Sequence, residues 1–178
     1  MFAGALLLLL ALAQRKPIAR LSPRQFGQLT ILGLTQTTIQ YTFFYIGLAY
    51  TTGVNGSIMN ATGTFFSVLL AHFIYQNDKL SYNKTLGCIL GFAGVMLVNF
   101  NHGLSDFHFV WNGDGFVILA AFILSSATLY GKRISQTVDP TVMTGWQLAI
   151  GGAVLVAGGY ATGGTLEVHS FTAAAILG

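Results

Sequence analysis

Charge is what this chain has least of. Of its 178 residues only 7% are Asp, Glu, Lys or Arg, where a soluble domain carries about 25%. With 53% hydrophobic residues, a globule would have too few polar groups to cover its surface. A soluble globular domain is therefore excluded, and an integral membrane protein remains. Cysteine occurs once, as Cys88, which excludes an internal disulfide. No basic run is interleaved with aromatics, so nucleic acid is not an expected partner. No Asp, Glu, Lys or Arg stands in the middle of an apolar segment.

What is present is a series of apolar segments separated by short polar breaks. They lie near 1–13, 26–49, 53–76, 85–100, 113–131, 140–161 and 171–178. A helix needs roughly 20 residues to cross the bilayer core. The inner segments meet or approach that length; the first and last fall short. The first run, "MFAGALLLLLALAQ", also fits a secretory leader with Ala11-Leu12-Ala13 as its cleavage site. It lacks a leader's positively charged start, so a span whose beginning is absent is the better reading.

The eight basic residues are not scattered. Arg15, Lys16, Arg20 and Arg24 lie between the first two spans, Lys79 and Lys84 between the third and fourth, Lys132 and Arg133 between the fifth and sixth. The intervening long connections hold Asp106, Asp114 and Glu167, with His102, His108 and His169, and no Lys or Arg. This is the positive-inside pattern. It places 14–25, 77–84 and 132–139 in the cytoplasm, and 101–112, 162–170 and the tight link at Tyr50–Thr52 outside.

A weak internal repeat accompanies the charges. "AGALLL" at Ala3–Leu8 matches "GGAVLV" at Gly151–Val156, and "LTILG" at Leu29–Gly33 matches "AAILG" at Ala174–Gly178, at nearly equal intervals. The interval holds an odd number of spans, so the second copy enters the membrane upside down. The loop after the first copy is basic; "ATGGTLEVHS" after the second has no basic residue. Inverted repeats mark transporters. The repeat also implies that about 30 residues precede this sequence and about 70 follow it.

The stretch Gly47–Val98, with Tyr50-Thr51, the small-residue helix Gly53–Phe73, Asp78-Lys79-Leu80-Ser81, and Gly87 to Gly94-Val95, resembles the EamA repeat of the drug/metabolite transporter superfamily. "ILAAFILSSATLYGKRIS" resembles the opening helix of the second repeat. The resemblance implies an all-α, multi-pass bundle of two inverted five-helix repeats, with both ends cytoplasmic. Residues 1–100 would be the first repeat lacking its first helix, 101–112 an external loop, and 113–178 the start of the second. The chain would be truncated at both ends. Thr64 stands where many members have proline, leaving any bend to Gly63 or to hydroxyl back-bonding. Ser125-Ser126 stand where many carry an aromatic residue. The setting implied is the cell membrane, that of a bacterial inner membrane, and the activity is transport of a small metabolite or drug-like solute, outward by family habit.

The residues themselves point to where a solute would sit. Asn60, Thr64 and Ser67 share one helical face, with Ser57 preceding them. On the preceding helix Gly33, Gln36 and Gln40 form a second polar stripe flanked by Thr37, Tyr41 and Tyr45. Lipid cannot satisfy amides or hydroxyls, so both stripes must face protein or a watery cavity. Gln36, Gln40, Tyr41, Asn60 and Thr64 are therefore candidate solute-binding residues, with Ser126 and Trp146 as weaker ones. The competing reading is interhelical glue, worth about 0.6 kcal/mol per polar group; Trp146 would alternatively belong to an interfacial aromatic belt. Gly87, Gly91 and Gly94 line one helix face and suit close packing within the monomer or at a homodimer seam.

Other motifs carry less. Sequons at Asn55, Asn60 and Asn83 fall in or behind the membrane, so no glycan is expected. Ser57 has no base within reach, since His72 lies about four turns along the same helix. His102 and His108 alone are weak metal ligands. No cofactor and no metal is expected, and no enzyme. Without a mid-span carboxylate, transport would be passive, by exchange, or coupled through helices outside this sequence. The alternatives to a carrier are a non-transporting membrane scaffold and, behind it, an intramembrane enzyme.

Overall fold

The computed structural model describes residues 2–14, 16, 18, 21–75, 81–100 and 110–163, all helix or short connection. The helices are α1 (Phe2–Ala13), α2 (Pro23–Gly33), a π-helical segment (Leu34–Ile39), α3 (Gln40–Tyr50), α4 (Gly53–Ile74), α5 (Tyr82–Phe100), α6 (Asp114–Ile134) and α7 (Pro140–Ala161). The segment 171–178 and the loop residues Arg15, Arg20, Asp78, Lys79, His102, Asp106, His108, Glu167 and His169 lie outside the described residues.

Local chemistry sets the helix ends. Ser22-Pro23 opens α2, and the Ser22 amide donates to Gln25 Oε1 at 2.9 Å. Thr52 caps α4 by accepting from the Asn55 amide, and Asp139 caps α7 by accepting from the Thr141 amide. Lys132 and Arg133 close α6, where the negative end of the helix dipole favours them. Past the end of α7, Gly163 takes φ 83°, a left-handed turn suited to glycine.

α2, the π segment and α3 run without a break, so the span expected at 26–49 is one long helix with a widened turn in its middle. The Gln40 amide reaches back to the Thr35 carbonyl. The cause lies in "LTQTTI": Thr35 Oγ1 donates to the carbonyls of Ile31 (2.8 Å) and Leu32 (3.2 Å), and Thr38 Oγ1 donates across to Gly151 O at 3.0 Å. Hydroxyl donors compete with the backbone ladder.

Among the described residues three helices are long and apolar enough to cross a membrane: Gly53–Ile74, Asp114–Ile134 and Pro140–Ala161. Phe2–Ala13 is apolar but shorter. It is nonetheless a packed member of the bundle, with Ala11 fully buried and Gly4 against α7. The contacts of α1 with α7 run in opposite order (Gly4 with Ala149, Leu8 with Gly145, Lys16 with Asp139), so the two helices are antiparallel. These are the helices the repeat reading pairs, and antiparallel packing is what an inversion requires.

In a bilayer the apolar effect does not drive helices together, so close fit and polar links must. Two apolar clusters sit at different heights: Ala11, Leu29, Leu32, Ala127, Ile134, Val138 and Val142 form one, and Ile58, Met59 and Val117 with Phe44 form the other. Ser125 Oγ bridges α6 to α4 by donating to Gly63 O at 2.7 Å. The polar links sort by end. Lys16 Nζ pairs with Asp139 (2.9 Å), Gln25 Nε2 donates to Thr137 O (3.4 Å), and Tyr75 OH donates to Leu129 O (2.8 Å), with Lys132 above the Tyr75 ring. At the opposite end Thr51 Oγ1 donates to Asp114 (2.5 Å), and Gly113 stacks on the Tyr50 carbonyl. The described parts of the first and third basic connections, and the end of α4, thus gather at one end of the bundle.

The helix α5 leaves the glycine stripe without a described partner. A Cβ built at Gly87, Gly91 or Gly94 meets no atom within 4 Å. Among the described residues these glycines pack against nothing, so the monomer arm of the close-packing reading has no partner there. α5 leans chiefly on α4, through contacts such as Phe92 on Phe65. The close approaches are instead at Gly4, Gly33, Gly47, Gly145 and Gly151.

Candidate functional site

Between the two apolar clusters lies a cavity of about 280 Å³. Gln36, Thr37, Gln40, Tyr41 and Phe44 line it from the π segment and α3, Asn60 from α4, Leu124 from α6, and Gln147 and Leu148 from α7. Four of the sequence candidates, Gln36, Gln40, Tyr41 and Asn60, are thus brought together. Gln147 is a further polar group that sequence reasoning passed over in favour of its neighbour Trp146. The signal was available: Gln147 is an amide in the middle of an apolar helix, the feature that marks Gln36 and Gln40.

The other candidates go elsewhere. Thr64 is exposed on α4 and outside the lining. Ser126 faces a separate groove between α2 and α6, and its hydroxyl donates to its own helix at Phe122 O (2.9 Å). Trp146 packs edge-on against Phe26, with ring centres 5.4 Å apart, beside the first apolar cluster.

The hydrogen-bond pattern separates glue from unfilled capacity. Ser125, Thr38 and Tyr75 spend their hydroxyls on other helices. Gln36 reaches Thr128 Oγ1 only at 3.4 Å. Gln40 is 5% exposed and Gln147 8%, yet neither side-chain amide has a hydrogen-bond partner among the described residues. The Asn60 amide has none either. Thr37 Oγ1 is buried without a partner in the same wall. Buried polar groups in native proteins are bonded to protein or water in the great majority of cases. This cluster therefore has unused donors and acceptors converging on one space, and no charge among them: it offers hydrogen bonds to a neutral or zwitterionic group.

A second cavity of about 500 Å³ shares Gln36 and Gln147 with the first and continues past Thr128 and Thr144 to Lys132 and Ser135. Polar space therefore runs from mid-bundle to the basic end. Towards the other end Gly47 abuts Gly113 and Val117, and Thr51 bonds Asp114.

A bundle of apolar helices with a polar cavity at mid-depth defines a multi-pass helical membrane protein. The chain belongs to the EamA-like transporter family, whose model matches residues 1–100. It is 27% identical over 144 residues to an uncharacterized transporter of Archaeoglobus fulgidus, covering 80% of this chain and 48% of that one. It is 27% identical over 173 residues to an uncharacterized transporter of Synechocystis sp., covering 87% and 51%. A chloroplastic WAT1-related protein of Arabidopsis thaliana is 27% identical over 158 residues, covering 87% and 37%. The chain spans about half the length, or less, of these relatives. No solved structure matches it.

Proposed function

We propose that this chain supplies the solute-holding part of a membrane carrier for a small neutral or zwitterionic polar molecule. The observation that supports it most is the set of amides, Gln40, Gln147 and Asn60, that face one cavity with no hydrogen-bond partner among the described residues. Glue residues would bond one another; these do not. The solute enters by the polar route from the basic end. By the positive-inside rule that end, with 14–25, 77–84 and 132–139, is cytoplasmic. The setting is a cell membrane, and the direction, following the family reading, is outward by alternating access. Asn60 and Thr64 stand exposed on α4, and further helices of a ten-helix carrier complete the lining on that side. The Asp114 carboxylate lies at the end away from the basic connections and is not part of the cavity.

The test uses the intact protein, purified and screened for thermal stabilisation by a panel of neutral, zwitterionic and charged metabolites, then assayed for transport of any hit in proteoliposomes. A ligand that binds only the folded state raises stability by RT ln(1 + [L]/Kd). Gln40→Leu combined with Asn60→Leu is expected to abolish both stabilisation and transport while membrane insertion and abundance hold. Full transport by that double variant removes these residues from the site. A protein that no small solute stabilises would fit the scaffold reading instead.

A further inference from the structure

A second site stands apart from the solute cavity. At the basic end, between the start of α2 and the end of α6, lies a cavity of about 450 Å³ lined by Ser22, Arg24, Gln25, Gln28, Arg133 and Gln136 among others. Among the described residues no carboxylate lines it. Asp139, the acid described at this end, is held by Lys16 and the Thr141 amide. Neither Arg24 nor Arg133 has an ion-pair partner among the described residues. Guanidinium groups stay charged in proteins, so among the described residues the cavity carries two positive charges that no acid offsets. α2 begins at its rim, and the positive end of that helix dipole adds to them.

An apolar groove adjoins the cavity at Tyr130. Tyr130 lines both, and the groove, about 340 Å³, runs on between Ile31, Phe122, Ile123 and Ala127. Of its three hydroxyl residues Tyr130 stands at the junction with the cavity, and Thr35 and Ser126 are both spent on their own helices, at Ile31 O and Phe122 O. These two present carbon to the groove, unlike the unpartnered amides of the solute cavity. Ile31 stands about 10 Å along α2 from Arg24, and Phe122 about 16 Å along α6 from Arg133, at 1.5 Å per residue. A cationic, amide-rich head and a dry tail at that spacing match one molecule: a phospholipid with an anionic headgroup.

We propose that an anionic phospholipid binds here, its phosphate at Arg24 and Arg133 and one acyl chain in the α2–α6 groove. Basic pockets between membrane helices on the cytoplasmic side are known to hold such headgroups. The proposal rests on the charges and the groove, not on the carrier reading.

The test measures thermal stability of the purified intact protein in micelles titrated with phosphatidylglycerol, phosphatidylcholine or inorganic pyrophosphate. Phosphatidylglycerol is expected to stabilise at lower concentration than phosphatidylcholine. Arg24→Gln with Arg133→Gln should weaken that preference roughly tenfold or more, from two surface charges lost. Both side chains are exposed, so folding is expected to survive; intact size-exclusion behaviour checks this. Lys132→Gln, outside the cavity, should keep the preference. Ser126→Trp, which fills the groove, should weaken phosphatidylglycerol without altering any response to pyrophosphate. Equal response to both lipids overturns the site. So does an unchanged preference in the double arginine variant, or an equal loss in Lys132→Gln, which would mark a diffuse basic surface. Stabilisation by pyrophosphate with no effect of Ser126→Trp overturns the lipid and leaves a soluble phosphate compound.

Discussion

Gly151→Ala is the substitution whose consequence follows most directly from the geometry. A Cβ there would stand 2.5 Å from Thr37 Cβ and closer still to the Gly33 carbonyl oxygen. Carbon atoms in contact normally sit about 3.5–4.0 Å apart. Neither neighbour is the free end of a flexible side chain, so α7 must retreat from the π segment by about 1 Å. Overpacking of this kind costs about 1–3 kcal/mol. The Thr38-to-Gly151 hydrogen bond across the crossing (3.0 Å) would lengthen, adding about 0.6 kcal/mol. Alanine's better helix propensity gives back about 1 kcal/mol. The net loss is near 2 kcal/mol, and for a chain of this size each kcal/mol moves the melting temperature by about 2–4 °C. The expected fall is therefore about 4–8 °C, read by fluorescence-detected size exclusion after heating. Gly158→Ala, on the same helix with nothing within 4 Å of its Cβ, is the control and should be neutral or slightly stabilising. If the two variants melt together, the crossing is not where α7 is held.

Thr37→Val removes a buried hydroxyl that has no partner; deleting such a group without leaving a cavity should hold or raise the melting temperature, and a fall would mean the hydroxyl is bonded in solution. Thr51→Val strips Asp114 of its hydroxyl donor and leaves the Val110 amide at 2.8 Å; a loss of about 1.5–3 kcal/mol is expected, recovered by Thr51→Ser, with faster hydrogen exchange at the α3–α4 link as the second readout. The Asp139 carboxyl is held below the usual carboxylate range, first by the Lys16 hydrogen bond and then, against the opposing effect of burial, by the Thr141 amide. Its contribution is therefore complete above that range and fades as pH falls through the lowered pKa. In Lys16→Met the acid loss of stability should be smaller and level off at a higher pH, because the folded carboxyl is no longer held so low; superimposable acid limbs for the two proteins would exclude the Lys16–Asp139 pair as its source.

How far the sequence was legible follows from which constraint each feature obeys. The helices were readable because solvation acts on every residue: apolar runs need lipid, and polar breaks need water. Gln36, Gln40 and Asn60 were readable for the same reason, since an amide has no place in hydrocarbon. The fate of hydroxyls was not. Ser125, Ser126, Thr35 and Thr38 look alike in sequence, yet one knits α6 to α4, two fold back on their own helices and one reaches α7. A hydroxyl satisfies itself locally at almost no cost, so composition does not say whether it faces a partner or a pocket. Glycine was ambiguous in the same way. The regular stripe Gly87, Gly91, Gly94 is open, whereas the isolated Gly33 sits against α7; a stripe describes one helix face, and close approach needs a second. The π segment had no signature beyond a cluster of threonines.

The position of the Gly33–Gly151 crossing gives the cavity its cause. Where two backbones touch, no side chain fits; on either side of the contact, crossing helices diverge. One turn from Gly151 is Gln147, and one turn from Gly33 are Gln36 and Thr37. A Cβ at Gly33 would lie 2.8 Å from the Gln147 carbonyl oxygen, so the amide side chains depart from the point of tightest contact into the space the divergence opens. Long polar side chains partly fill it and are not matched to one another, which is why their hydrogen-bonding capacity is left over. The π segment widens the same turn of helix from the other side. Contact point and cavity are therefore one geometric feature. A change at either glycine is therefore felt first at Thr37 and Thr38, which touch Gly151, and through the same turn at Gln36, Gln40 and Gln147.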